Sequence, residues 1–166
     1  MPKWVILPAA VAAGLSLAAC GSTTVKSGTE TFSGSTASTA NSPTVPLKAS
    51  GVFADTGSIY LADSNSLKGT FKLSDGNLYV THSKGVQRQT VSKTCVAVFT
   101  ETGTYVVTGG TGTYKGAAGG VGTYKVTFSA TLPKLADGKC NEAQSAQPVK
   151  GTSLTVFHAT GPVKVK

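Results

Sequence analysis

Tryptophan, methionine and histidine are nearly missing from this chain. Its 166 residues include one Trp (Trp4), one Met (Met1) and two His (His82 and His158). Three cysteines occur, at 20, 95 and 140, with no Cys-x-x-Cys pair and neither histidine at ligand spacing from them. No metal and no cofactor are therefore expected. The chain has no His-Glu-x-x-His and no Gly-x-Ser-x-Gly, which removes the metalloprotease and α/β-hydrolase signatures. Acidic residues number only 7, and most of them stand in turn-like surroundings, so paired carboxylates for glycoside chemistry are not evident. Basic residues number 15, giving a formal charge of +8, but Lys48, Lys68, Lys72, Lys84, Lys93, Lys115 and Lys125 are scattered and form no basic run or basic helix. No nucleic-acid partner is expected; the lysines read as a solvated set that discourages edge-to-edge strand pairing. Nor does any stretch after residue 19 hold a 3.6-residue apolar period, so helix content should be low.

What is present begins with the N-terminus. Residues 1–19 have a basic start at Lys3, an apolar run from Trp4 to Leu17 and small residues after it. The run is short for a membrane span of about 20 residues and has the layout of a secretory signal peptide. Leu17-Ala18-Ala19-Cys20-Gly21 resembles the lipobox of bacterial lipoproteins. That resemblance implies lipidation of Cys20 by palmitate-like chains and attachment to the cell membrane on its extracytoplasmic side. Each buried CH₂ adds about 0.8 kcal/mol, so two or three acyl chains anchor stably. Cys95 and Cys140 remain, and in an oxidising space they are expected to form a disulfide. Chain-entropy reasoning gives that closure about 4 kcal/mol of stabilisation at most.

Residues 20–46 are rich in Ser, Thr, Gly and Pro and read as a flexible tether, in which only Thr29–Ser33 offers a strand-like run. Residues 47–166 read as one folded domain. The expected strands are Lys48–Ala54, Ser58–Ala62, Ser66–Leu73, Asn77–Ser83, Val86–Val91, Thr94–Glu101, Thr104–Thr108, Val121–Leu132, Gly151–Thr160 and Pro162–Val165. In the clearest, Tyr124, Val126, Phe128, Ala130 and Leu132 alternate with Thr123, Lys125, Thr127, Ser129 and Thr131. Asp75-Gly76 marks a hairpin, and Glu101-Thr102-Gly103 reads as a second tight connection. Sequential short strands with short turns favour an all-β fold, a single antiparallel up-and-down β-barrel of about eight strands.

Gly-Thr-Tyr occurs three times, at 103–105, 112–114 and 122–124. Around the middle copy, Gly109, Gly110, Gly112, Tyr114, Ala117 and Gly119 fit a Gly-Gly-Thr-Gly-x-Tyr-x-x-Ala-x-Gly pattern. This resembles the signature of the allene oxide cyclase and dirigent barrels, which are calycin-like in shape, and it looks like exported actinobacterial proteins with the same cysteine pair. The resemblance implies an eight-stranded antiparallel barrel, with the glycine stretch as a corner and Tyr114 as an end plug. Glycine-glycine permits positive φ at a sharp reversal. A phosphate cradle would need a following helix, which glycine and β-branched residues forbid here. The catalytic residues of the plant cyclases find no position-by-position match outside the glycine motif. Avidin also carries Gly-Thr-Tyr near a strand, but it binds biotin through tryptophans that residues 20–166 lack.

His82 shares a strand face with Leu78 and Val80, and His158 with Leu154 and Val156. Both are expected to point into the barrel, where a meeting of the two would make a polar spot. The leading functional expectation is a non-enzymatic module that binds a small apolar molecule or a surface. The alternatives are a solid-cored structural protein of the envelope and a cyclase-like or dirigent-like catalyst. A cavity of a few hundred Å³ separates the first from the second, and a carboxylate beside a His or Tyr inside it would bring back the third.

Overall fold

The computed structural model describes residues 24–37, 43–61, 66–143 and 145–166. The signal segment, Cys20 and the rest of residues 1–23 lie outside the described residues. Among the described residues there are ten strands: β1 (Lys26–Thr36), β2 (Thr44–Ser50), β3 (Asp55–Tyr60), β4 (Lys68–Leu73), β5 (Gly76–His82), β6 (Val86–Val91), β7 (Val96–Gly110), β8 (Ala118–Gly119), β9 (Val121–Thr131) and β10 (Leu154–Val165). Eight of them pair in the order β1-β2-β3-β4-β5-β7-β9-β10, and β10 pairs back with β1 along the whole of that strand. Every pairing is antiparallel and the wall is closed, so the barrel is the expected up-and-down one. Closure satisfies the backbone donors that an open sheet would leave at its edges.

Three boundaries differ from expectation. The stretch expected to be tether supplies β1 and the start of β2. The side chains of β1 are mostly small and polar, and only Glu30 and Phe32 among them turn fully inward. Its ladder with β10 holds it, from Lys26↔Val165 to Thr36↔Thr155, so composition alone misjudged it. Second, Thr94–Glu101 and Thr104–Thr108 form one strand, β7, which runs straight through Glu101-Thr102-Gly103. Third, Gly151–Thr160 and Pro162–Val165 belong to one strand, β10. Pro162, which has no N–H to give, falls in the gap where β10 changes partner from β9 (ending at Thr160↔Thr123) to β8 (starting at Val163↔Gly119). The β4–β5 hairpin at Ser74-Asp75 matches its sequence signal.

The barrel has two unlike ends. One is filled. There Phe32 stacks on Phe71 at 4.3 Å between ring centres, and Phe71 meets Phe157 edge-on at 5.9 Å and Tyr105 at 6.2 Å. Beyond this aromatic floor a single 3-10 turn, Gly112–Tyr114, folds over the end and buries Tyr114. Gly112 takes φ +58, and a Cβ on it would collide with the Asp75 carbonyl, so glycine is required there. Gly109 and Gly110, expected to make the reversal, instead finish β7, and positive φ falls at Gly112 and Gly116. At the other end β7 outruns the wall. Its first half pairs with β6 and its second with β5, so β6, β7 and β9 stand up as a lip. The Cys95–Cys140 disulfide, with Cα atoms 5.2 Å apart, fastens the loop after β9 to the root of β7 in this lip.

Candidate functional site

Two of the three Gly-Thr-Tyr copies build the inner wall. Gly103-Thr104-Tyr105 on β7 and Gly122-Thr123-Tyr124 on β9 run antiparallel, in the register Gly103↔Tyr124 and Tyr105↔Gly122. Each tyrosine ring therefore lies over the glycine opposite. A Cβ on Gly103 would come within 2.5 Å of Tyr124 Cε1, and one on Gly122 within 2.6 Å of Tyr105 Cε1. Aromatic cover of a strand glycine supplies the packing that the glycine lacks. The third copy is the plug. All three tyrosines are buried packing residues, but their hydroxyls have separate surroundings.

At the filled end the Tyr114 hydroxyl donates to Asp55 Oδ2 at 2.5 Å. The Ser74 hydroxyl and the Thr56 N–H donate to Oδ1, and the Asp75 N–H to Oδ2. Burial pushes the Asp55 carboxyl up, but these four donors outweigh it and bring it down to about 2. Burial and the bond to Asp55 push the Tyr114 hydroxyl up. Asp55 is thus a fixed anion that pins the plug. Nearby, Glu30 is fully buried; its Oε2 accepts the Phe53 N–H at 3.1 Å, while Oε1 has no hydrogen-bond partner among the described residues. Burial raises its carboxyl above the ordinary value, against the lowering effect of the backbone donors. Burial, with the nearby Glu30 charge, pushes the Tyr105 hydroxyl up to about 12.

The other end is a cup of about 410 Å³. Phe71, Tyr105 and Phe157 form its floor, Ile59, Val80 and Val126 its apolar sides, and Phe99 and Phe128 face each other across β7 and β9 near the lip. One sector is polar. The Tyr124 hydroxyl donates to Glu101 Oε1 at 2.9 Å, and Gln87 Nε2 donates to Oε2 at 3.0 Å. Burial, then the bond to Glu101, push the Tyr124 hydroxyl up, so it stays a neutral donor. His82 stands edge-on to Tyr124, ring centres 5.7 Å apart, with Nδ1 at 3.0 Å from the Ser83 carbonyl. A cup of this volume, apolar on most sides with a few converging polar atoms, has the form of a small-molecule site.

His82 lies in this cup, as its strand face implied. His158 does not. It is exposed on the outer wall between Ser33 and Lys125, while Thr155, Phe157 and Ala159 turn inward. The two imidazoles therefore form no shared polar spot. Glu101, the carboxylate of the cup, falls in the Glu101-Thr102-Gly103 segment whose sequence predicts a tight connection. Carrying the β7 alternation through Gly103 puts Phe99, Glu101, Gly103, Tyr105 and Val107 on one face, which is the signal that would have found it. Against protein families, characterised proteins and solved structures, the chain finds no match.

Proposed function

We propose that this chain is a membrane-anchored extracytoplasmic lipoprotein whose barrel binds a small, largely apolar molecule in its open end. The cup carries this reading: one end of the barrel is filled and plugged, while the other keeps about 410 Å³ above an aromatic floor. An interior left open on one side only does not support the solid-cored alternative. The Leu17-Ala18-Ala19-Cys20 box supports the anchor, and a Cys95–Cys140 disulfide is in keeping with an oxidising compartment. The barrel agrees with the likeness to the allene oxide cyclase and dirigent barrels; kinship to them rests on the glycine motif.

Native mass spectrometry of the chain purified from its own host tests the binding. A recurring co-purified mass, lost when Phe71 is replaced by Trp to fill the floor, is the expected result. No bound mass, with no hit in a lipid and metabolite screen, sinks the reading. Replacing Cys20 with Ser should move the protein from the membrane to the soluble fraction, and unchanged fractionation removes the anchor. A second reading, acid–base catalysis on the bound molecule, is favoured by one observation, the Glu101 carboxylate beside Tyr124 and His82. Conversion of the co-purified molecule by the native protein, abolished in Glu101→Gln while binding persists, distinguishes it from simple binding.

A further inference from the structure

The polar sector of the cup contains mainly acceptors. The Tyr124 hydroxyl proton is taken up between two acceptors, Glu101 Oε1 at 2.9 Å and the Ser83 carbonyl at 3.3 Å, and Gln87 commits one N–H to the Glu101 carboxylate. The Ser83 carbonyl can only accept, so the His82 proton sits on Nδ1, and in the neutral ring Nε2 is an acceptor. What faces an incoming molecule is a carboxylate with spare lone pairs, a phenolic oxygen, an imidazole nitrogen and, as a neutral donor, the second N–H of Gln87. Both donors to Glu101 are neutral groups. Among the described residues the one ion pair is Lys139–Asp137, out on the loop after β9. Lys68 shares the mouth, but it is exposed and makes no ion pair with Glu101.

The sector is also built by two absent side chains. Gly103 clears the ground for the Tyr124 ring. Gly85 does the same for Glu101: a Cβ there would come within 2.5 Å of the Glu101 carboxyl carbon. The carboxylate is thus laid down against bare backbone and tied at both oxygens.

We propose that the cup selects a primary or secondary amine in its protonated form, with the ammonium on Glu101 and an apolar or aromatic body resting on the Phe71 floor; this rests on the binding reading above. A carboxylate in a partly desolvated cup, with no ion-pair partner among the described residues, gains most from a ligand that brings the charge. Three acceptors ask for N–H donors, which a quaternary ammonium lacks. The rings of Phe99, Phe128 and Tyr124 border the same sector and add cation–π attraction.

Calorimetric titration of the full chain in detergent, with 2-phenylethylamine, 2-phenylethanol and 3-phenylpropionate at neutral pH, tests this. The amine should bind at least about tenfold more tightly than the alcohol, and the acid most weakly. Glu101→Gln keeps an acceptor for Tyr124 but removes the charge. It should bring amine and alcohol within about threefold, by weakening the amine much more than the alcohol. On the wild-type protein, N-acetyl-2-phenylethylamine keeps the body, loses the charge and should fall to the level of the alcohol, so the conclusion does not depend on the variant folding. Equal affinity for amine and alcohol, or an amine preference that survives in Glu101→Gln, overturns the amine site and leaves the cup standing. No binding by any of these probes or by the neutral dye Nile red overturns the cup as well, and the amine site with it.

Discussion

Asp55 offers the sharpest test of how the barrel is closed. Its carboxyl lies at about 2 in the fold, against 3.8 for the free side chain. At roughly 1.4 kcal/mol per unit, that difference is about 2 kcal/mol of folding stability. Asp55 is 8 % exposed, so solvent screening takes little from this figure. A depressed folded value means that the contribution is complete above the unfolded value, near 4. It is lost as the pH falls through the interval from about 4 to about 2. Urea unfolding of the wild type and Asp55→Asn, followed by far-ultraviolet circular dichroism at steps from pH 7 to pH 2, measures it directly. The gap between the two curves should narrow by about 2 kcal/mol as the pH falls through that interval. Tyr114→Phe removes one of the four donors and lifts the folded value toward the unfolded one, so its acid loss should be smaller and finish at higher pH, and the variant should lose about 1.5–3 kcal/mol at neutral pH. Parallel stability curves for wild type and Asp55→Asn across the acid range would falsify the account of Asp55 as a charged pin.

Other outcomes follow from the same geometry. Gly103→Ala places a methyl where the Tyr124 ring lies, so it should break the Tyr124–Glu101 bond and weaken amine binding at least about tenfold, read by the same calorimetry. Gly122→Ala meets the Thr160 carbonyl and Gly161 as well as the Tyr105 ring, and should lower the melting temperature more than Gly103→Ala does. Glu30 has a raised carboxyl, so its contribution has the opposite sign to that of Asp55: stability is present below the unfolded value and falls as the pH rises through the folded one. Glu30→Gln should flatten that part of the wild-type profile. Removing both Cys95 and Cys140 by serine should cost up to about 4 kcal/mol in urea unfolding, since the bridge closes 45 residues of sequence separation.

The sequence made some of this architecture legible and hid the rest for identifiable reasons. β9 was readable because its two faces differ strictly, Tyr124, Val126 and Phe128 against Thr123, Lys125 and Thr127. The β4–β5 hairpin was readable because a turn writes itself in adjacent residues. β1 was not, because its stability lies in the ladder with β10, more than 100 residues away, and a single aromatic, Phe32, is its apolar mark. Gly103 looked like a turn because a strand glycine and a turn glycine are the same letter. What tells them apart is Tyr124 across the sheet, and only pairing reveals it. That one misreading also cost the site its carboxylate, Glu101, two residues earlier. His158 was misplaced because β10 carries apolar residues in both phases: Leu154 and Val156 on one face, Phe157 and Ala159 on the other.

The early start of β1 bears on the proposed anchor. Lys26 pairs with Val165 at the plugged end, and only five residues separate it from Cys20. Fully extended, that spacer reaches about 20 Å. The proposed lipid on Cys20 would therefore hold the barrel by its plugged end, on a short leash, with the cup turned outward from the bilayer. In that posture a bound molecule would reach the cup from the surroundings rather than from the lipid. A pull on such an anchor would load first the strand that closes the wall.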